Sequence, residues 1–434
     1  MNLIQDFYLA ERNDYQGTVS PAFADLAQCF SRLQHHRRDQ GGAALAVYFQ
    51  QQKVLDIYTG QQSSSLAWQP DTLAISYSTG KGVLATLAHI LVSAGYLDYD
   101  RPIQVYWPEF AQVTQYNLKN KMTLRHILTH QTGLFDIRNM IQHASEMLDW
   151  SHMLSVMEQI EPRFVVGQGS AYQALSFGWL LGGVLEKATE QSLQALMQQY
   201  LVEPLELDGA YFGVPTTQLS RVAKPLSSSV KPSEKAKGAI GKSLQSQPVR
   251  KTKAQKSTQK FTDKLIQWSG QDQQDFVDAM IPKGMRDLSF YDDRAIQAII
   301  PAANGAFTAR SLAKIYAMLA QGGVWQGKTL IAPQYMVELT QIQSQQRDRV
   351  MPIPMQWRLG YHRVITLGKR IPQGFGHLGY NGSGAWCDPS RQLSFAYTHN
   401  FPVTSITGDY RLWGLTQEAI RCADAVLTGR KGWF

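Results

Sequence analysis

The sequence predicts a mixed α/β (α+β) fold, in which an antiparallel sheet flanked by helices carries a mainly helical inserted domain. Two observations predict it. Strand-like patterns lie at both ends of the 434 residues, and helical periodicity fills the middle. A chain of this length buries a large core, and its 44% apolar residues and ten tryptophans exclude a disordered class.

The elements follow in order. Residues 22–37 place Phe23, Leu26, Ala27, Phe30 and Leu33 at helical spacing. Residues 43–49 and 54–58 read as two strands around a turn at Gln50-Gln51-Gln52-Lys53. Beyond Lys81 the apolar positions Val83, Leu84, Leu87, Ile90 and Leu91 predict one face of a long helix, and helices dominate to about residue 210. After Pro301 a helix is expected over 308–322. Strands are expected over 357–366, 383–387 and 393–399, the last two joined by an Asp388-Pro389-Ser390-Arg391 turn. A final helix spans 414–427. The implied organisation is a discontinuous sheet domain, residues 1–80 and 300–434, around a helical domain at 81–299.

The formal charge of +8 invites a nucleic-acid reading, but it is localised. Residues 221–264 hold twelve Lys/Arg against two acids, a net of +10, which leaves −2 elsewhere. Residues 221–260 are also rich in Ser, Gln and Pro, so they read as a low-complexity basic insertion, a solvated excursion from the surface. Nucleic acid is not expected as a partner. The best apolar run, residues 83–92, falls well short of the ~20 residues that span a bilayer and contains His89. The first residues show neither a basic start nor an apolar h-region, and the three cysteines are far apart. No membrane span, no secretory signal and a cytoplasmic location are therefore expected.

Chemistry is concentrated in Ser78-Thr79-Gly80-Lys81. Ser-x-x-Lys also occurs at Ser228–Lys231, Ser257–Lys260 and Ser311–Lys314, but two of these lie in the basic insertion and the third in an amphipathic helix. Only Ser78 stands where a strand-like segment, Leu73-Ala74-Ile75, meets the start of a long helix. Positions i and i+3 share a helix face, so the Lys81 amine can reach the Ser78 hydroxyl. Burial and the helix N-terminus both lower a lysine pKa, and a neutral lysine can take the serine proton. Gly80 and Gly82 are expected to keep the approach open. Tyr172, in a loop entering an apolar helix, supplies a phenol that could pass a proton onward. The glycine-dense stretch from Phe375 to Gly384 precedes a strand, and its backbone could approach a ligand closely.

These segments, together with Trp68-Gln69-Pro70-Asp71-Thr72-Leu73, Thr123-Leu124-Arg125-His126-Ile127-Leu128-Thr129-His130-Gln131-Thr132-Gly133-Leu134 and Pro301-Ala302-Ala303-Asn304-Gly305, resemble the serine β-lactamase and penicillin-binding-protein superfamily. Within it, the chain is most similar to class C β-lactamase-like carboxylesterases, the family VIII esterases. The resemblance implies a β-lactamase/transpeptidase-like fold with its site in the cleft between the two domains. It matches Ser78 to the acylated serine, Lys81 to its activating lysine and Tyr172 to the tyrosine of Tyr-x-Asn. It puts His377-Leu378-Gly379 in place of Lys-Thr-Gly, so that His377 and Gly379 line the substrate pocket, and it makes the backbone N–H groups of Ser78 and Tyr380 the oxyanion hole.

Two departures favour an uncharged ester over a carboxylated lactam. Ala174 replaces the asparagine of Tyr-x-Asn, and His377, largely neutral at pH 7, replaces a lysine. The expected activity is cleavage of carboxylic esters of small molecules through an acyl-enzyme, with no cofactor. The alternatives are a β-lactamase, D-amino-acid peptidase or acyltransferase using the same residues, and a binding protein whose basic insertion recruits anions. His126 and His130 are spaced as a zinc pair on a helix would be, but no Glu follows His126, so no metal is expected. Arg125 and Asp136 read as partners in loop structure.

Overall fold

The architecture is that of a computed structural model, which describes residues 8–9, 14–34, 41–112, 118–226, 273–368, 370–402 and 409–429. From residue 227 on, the basic insertion, with the second and third Ser-x-x-Lys matches, lies outside the described residues.

The termini build one antiparallel sheet. Strands β1 (Tyr8–Leu9), β2 (Gln16–Val19), β3 (Gly42–Phe49) and β4 (Gln52–Gly60) come from the N-terminal part of the chain. Three short strands follow in sequence: β5 (Ala74–Ile75), β6 (Ala210–Tyr211) and β7 (Ala306–Phe307). They form a separate sheet in the order β5-β7-β6. After the hairpin of β8 (Val324–Trp325) and β9 (Lys328–Thr329) come β10 (His362–Arg363), β11 (Phe375–Leu378), β12 (Gly384–Asp388) and β13 (Leu393–His399). The main sheet runs β1-β2-β4-β3-β13-β12-β11-β10. Its two halves join where β3 pairs with β13, from Leu393↔Phe49 to His399↔Ala43.

All eight residues of β3 are buried, because helices cover both faces of the sheet. Ala43, Leu45, Val47 and Phe49 face α1 (Ala24–Gln34) and the C-terminal helix Tyr410–Thr428, whereas Ala44, Ala46 and Tyr48 face the larger core. That core holds α2 (Thr79–Ser93), α3 (Ser176–Thr189) and α4 (Ala309–Ala320). Among the described residues no helix is long and apolar enough to cross a membrane.

Several elements differ from their sequence expectation. The turn after β3 is two residues long, Gln50 and Gln51, both at positive φ, which is the twist a tight hairpin requires. Helix α2 is buried from Thr79 to Val92 on every side rather than along one stripe. Only His362–Arg363 of the expected strand 357–366 is extended, and the preceding stretch is loop. The helix carrying His126 ends at Leu128, so His130 lies beyond it, in left-handed backbone with φ 58°. Arg125 pairs with Asp100 and Glu338, and Asp136 pairs with Arg163 while capping the helix Ile137–Met140.

The glycines of α2 serve packing, not access. A Cβ on Gly80 would lie 2.5 Å from the Pro301 carbonyl oxygen, and one on Gly82 would lie 2.2 Å from the Tyr316 hydroxyl. Alanine in a helix interior ordinarily stabilises by roughly 1 kcal/mol over glycine. At position 82 the contact reverses the sign, and Gly82→Ala should cost about 1–3 kcal/mol in a denaturant melt. A gain in stability would show that α2 and α4 can separate freely.

Candidate active site

The small β5-β7-β6 sheet ends where the nucleophile candidate begins. Ser76 N–H donates to Gly305 O at 2.9 Å, which fixes the chain one turn ahead of α2. Tyr77 then adopts φ 46°, a left-handed conformation costing a non-glycine residue roughly 1–2 kcal/mol. Its ring holds that geometry by packing edge-on to Phe290 and Tyr380. Ser78 occupies the N-cap of α2 yet makes no side-chain capping bond, so its hydroxyl is directed elsewhere.

It is directed at Lys81. The Lys81 Nζ lies 2.9 Å from Ser78 Oγ, 2.7 Å from Ala174 O and 3.2 Å from Ala302 O. Lys81 is fully buried, and burial pushes its pKa well below the ordinary lysine value. The Tyr172 ring sits 4.9 Å from Nζ, and Tyr172 borders the same cleft as Ser78. Burial raises the Tyr172 pKa, so the group is a neutral phenol and a proton donor. Ser78, Lys81 and Tyr172, predicted from three sequence positions, therefore meet at one point.

His377 and Tyr380 line the same cleft, which holds about 350 Å³ and also borders Ser78, Tyr172, His362, Leu378, Met280, Met351 and Met355. Nδ1 of His377 donates to Leu378 O at 3.1 Å, so the proton is on Nδ1 and Nε2 is the acceptor, buried without a partner among the described residues. Burial holds the His377 pKa well below 6.5, and the ring is neutral. Gly379 explains the glycine of His-x-Gly. A Cβ there would fall 2.3 Å from Ser76 O, so only glycine lets this strand end lie against the segment before Ser78.

Sequence reading missed three contributors. His362, its pKa lowered to about 4 by burial, accepts Leu378 N–H at Nε2 and donates from Nδ1 to Arg363 O. Trp357 stacks on Tyr172 with ring centroids 5.7 Å apart and planes 3° from parallel. Asp348 hydrogen-bonds both. Trp357 was hidden in an apparent strand, and Asp348 sits in a polar run without any motif. Among the described residues no group of three or more His, Cys, Asp or Glu could hold a metal ion.

The sheet, the helices on its two faces and a Ser–Lys pair at a helix start, its lysine buried and its serine bordering the cleft, define the class of β-lactamase/transpeptidase-like hydrolases. The family profile described as Beta-lactamase matches residues 26–416, and the chain belongs to that family. It is 32% identical over 388 residues, 88% of this chain and 82% of its relative, to the protein named Esterase/beta-lactamase LipL of Mycobacterium tuberculosis (strain ATCC 25618 / H37Rv). Among solved structures, a family VIII carboxylesterase is 27% identical with a TM-score of 0.76, covering 94% of this chain and 99% of that one. A penicillin-binding-protein homolog from Caulobacter crescentus is 26% identical with a TM-score of 0.75, covering 94% and 100%. The protein is thus an esterase-like hydrolase of the β-lactamase superfamily.

Proposed function

We propose that the protein hydrolyses uncharged carboxylic esters through a Ser78 acyl-enzyme. Ser78 Oγ attacks the ester carbonyl carbon while its proton passes to the neutral Lys81 amine. The new C–O bond leaves a tetrahedral anion, which we assign to the backbone N–H groups of Ser78 and Tyr380. When the anion collapses, the bond to the alcohol breaks. Tyr172 donates its phenolic proton to the departing oxygen and regains one from Lys81. Water then repeats the sequence against the acyl-enzyme and releases the acid.

The choice of an ester rests on the cleft lining. Among the described residues bordering it there is no Lys or Arg, and the walls are methionine, leucine, tyrosine and two neutral imidazoles. A carboxylated substrate would lose its water there without gaining a counter-ion. Methionines shape themselves to varied apolar groups, which suits an acyl chain. The neutral Nε2 of His377 would accept a hydrogen bond and could not anchor a carboxylate.

The expected result is turnover of p-nitrophenyl acetate, butyrate and octanoate that disappears in Ser78→Ala, with nitrocefin slow or untouched. Fast nitrocefin turnover would move the assignment to a β-lactamase, a capacity named for the Mycobacterium relative. Equal ester rates in wild type and Ser78→Ala would remove Ser78 as nucleophile.

A further inference from the structure

Asp348 is only 3% exposed, and its carboxylate accepts at least five hydrogen bonds. Oδ1 takes Tyr172 N–H at 3.0 Å, Val350 N–H at 2.9 Å and Met351 N–H at 2.9 Å. Oδ2 takes the Ser170 hydroxyl at 2.9 Å and the Trp357 indole N–H at 3.2 Å. One carboxylate thus grips the backbone of Tyr172 and the side chain of Trp357, the two members of the parallel stack. It also secures Met351, which lines the cleft. The segment is further tied by Arg349 N–H donating to Ser170 O at 2.9 Å.

From this arrangement we infer that Asp348 is a positioning residue for the proton relay, holding the Tyr172 phenol against Ser78 through the Trp357 stack. The inference rests on the Ser78–Lys81–Tyr172 reading proposed above. A phenol that must bridge a serine, a lysine and a leaving oxygen tolerates little displacement, since about 1 Å of misplacement can cost 10²-fold in rate. A carboxylate suits the position because every group facing it here is a donor. An asparagine would present its own N–H₂ to one of them.

The test is a double-mutant cycle on p-nitrophenyl butyrate turnover, with folding followed by thermal melts. Asp348→Asn should lower kcat roughly 10- to 100-fold in the wild-type background. In a Tyr172→Phe background, where no phenolic proton remains to be placed, it should change kcat by less than about twofold. A purely structural role would lower kcat alike in both backgrounds, and that result would overturn the inference, as would an unchanged kcat in Asp348→Asn. If Asp348→Asn does not fold, Trp357→Phe keeps an aromatic ring while removing the indole donor and part of the stacked surface, and its loss of kcat should again be confined to the enzyme that has Tyr172. Tyr172→Phe alone separates the two levels. A wild-type kcat in that variant sinks the Ser–Lys–Tyr reading together with this inference, whereas a drop there with no effect of Asp348→Asn sinks this inference alone.

Discussion

Lys81→Met should lower ester turnover by roughly 10³- to 10⁴-fold without unfolding the protein, and adding Ser78→Ala should lower it little further. The geometry around Nζ is the reason. Ala174 O and Ala302 O can only accept, so they take the two hydrogens of a neutral amine and leave its lone pair facing Ser78 Oγ. Methionine keeps most of the volume but offers no base. Lys81→Arg should fail as well, because a guanidinium is not deprotonated in proteins. A second readout follows from the depressed pKa. The unfolded chain binds a proton at Lys81 below the ordinary 10.5, whereas the folded chain does so only at much lower pH. The stability that Lys81 contributes is therefore lost as pH drops below 10.5, so that wild type loses stability relative to Lys81→Met by up to about 1.4 kcal/mol per pH unit. Denaturant melts between pH 7 and 10 measure that difference in slope. Parallel slopes would mean that Lys81 is charged in the folded protein, and turnover above a tenth of wild type in Lys81→Met would assign the base elsewhere.

The sequence made local geometry legible and hid what the tertiary fold assembles. Ser78 and Lys81 are three positions apart at a helix start, so their contact follows from helical periodicity alone. Tyr172 and His377 were placed by resemblance, and the fold brings both to the same cleft. Strand β13 was expected over 393–399 and occupies those residues, because alternation over a buried strand is a short-range pattern. The burial of α2 on all sides is not legible in the sequence because Thr86 and His89 interrupt its apolar run. Inside the protein they are satisfied by Tyr361, Tyr99 and the Leu359 carbonyl, so polar letters do not mark an exposed face here. The carbonyls that fix the Lys81 amine belong to two alanines, and a backbone acceptor leaves no trace in residue identity. Asp348 reaches Tyr172 across 176 positions from a loop, a pairing that no periodicity encodes. Trp357 looked like strand because an aromatic between apolar residues fits both a strand and a buried loop.

Stability should collapse between pH 7 and pH 5, and five buried histidines are the cause. His89, His130, His362, His377 and His399 are each no more than 4% exposed. Burial lowers the pKa of His89 and His362 to about 4 and that of His399 to about 3, and it holds His130 and His377 well below 6.5. Local bonds reinforce this. His130 Nδ1, His362 Nε2 and His399 Nδ1 each accept a backbone N–H, from Gln173, Leu378 and Phe401 respectively, and a peptide N–H cannot turn away when the ring gains a proton. The unfolded chain takes up these protons near pH 6.5, before the folded chain does. The stability they confer is therefore fully present above that pH and lost as pH falls toward the folded-state values. At pH 5 the loss is about 2 kcal/mol for each of the three groups at pKa 3–4, and His130 and His377 add to it in the same direction. The combined loss is comparable with the whole stability of an ordinary domain. Thermal melts from pH 8 to pH 5 should show a steep fall beginning near pH 6.5. His399, which packs beside Tyr397 and Phe401 and is not among the residues bordering the cleft, offers the control, since His399→Gln should flatten the acid limb by about one proton while ester turnover at pH 8 persists. A melting temperature that stays level down to pH 5 would mean that these imidazoles are protonated in the folded state. His377 would then be a cation at the cleft wall, and the preference for uncharged esters would lose its electrostatic basis.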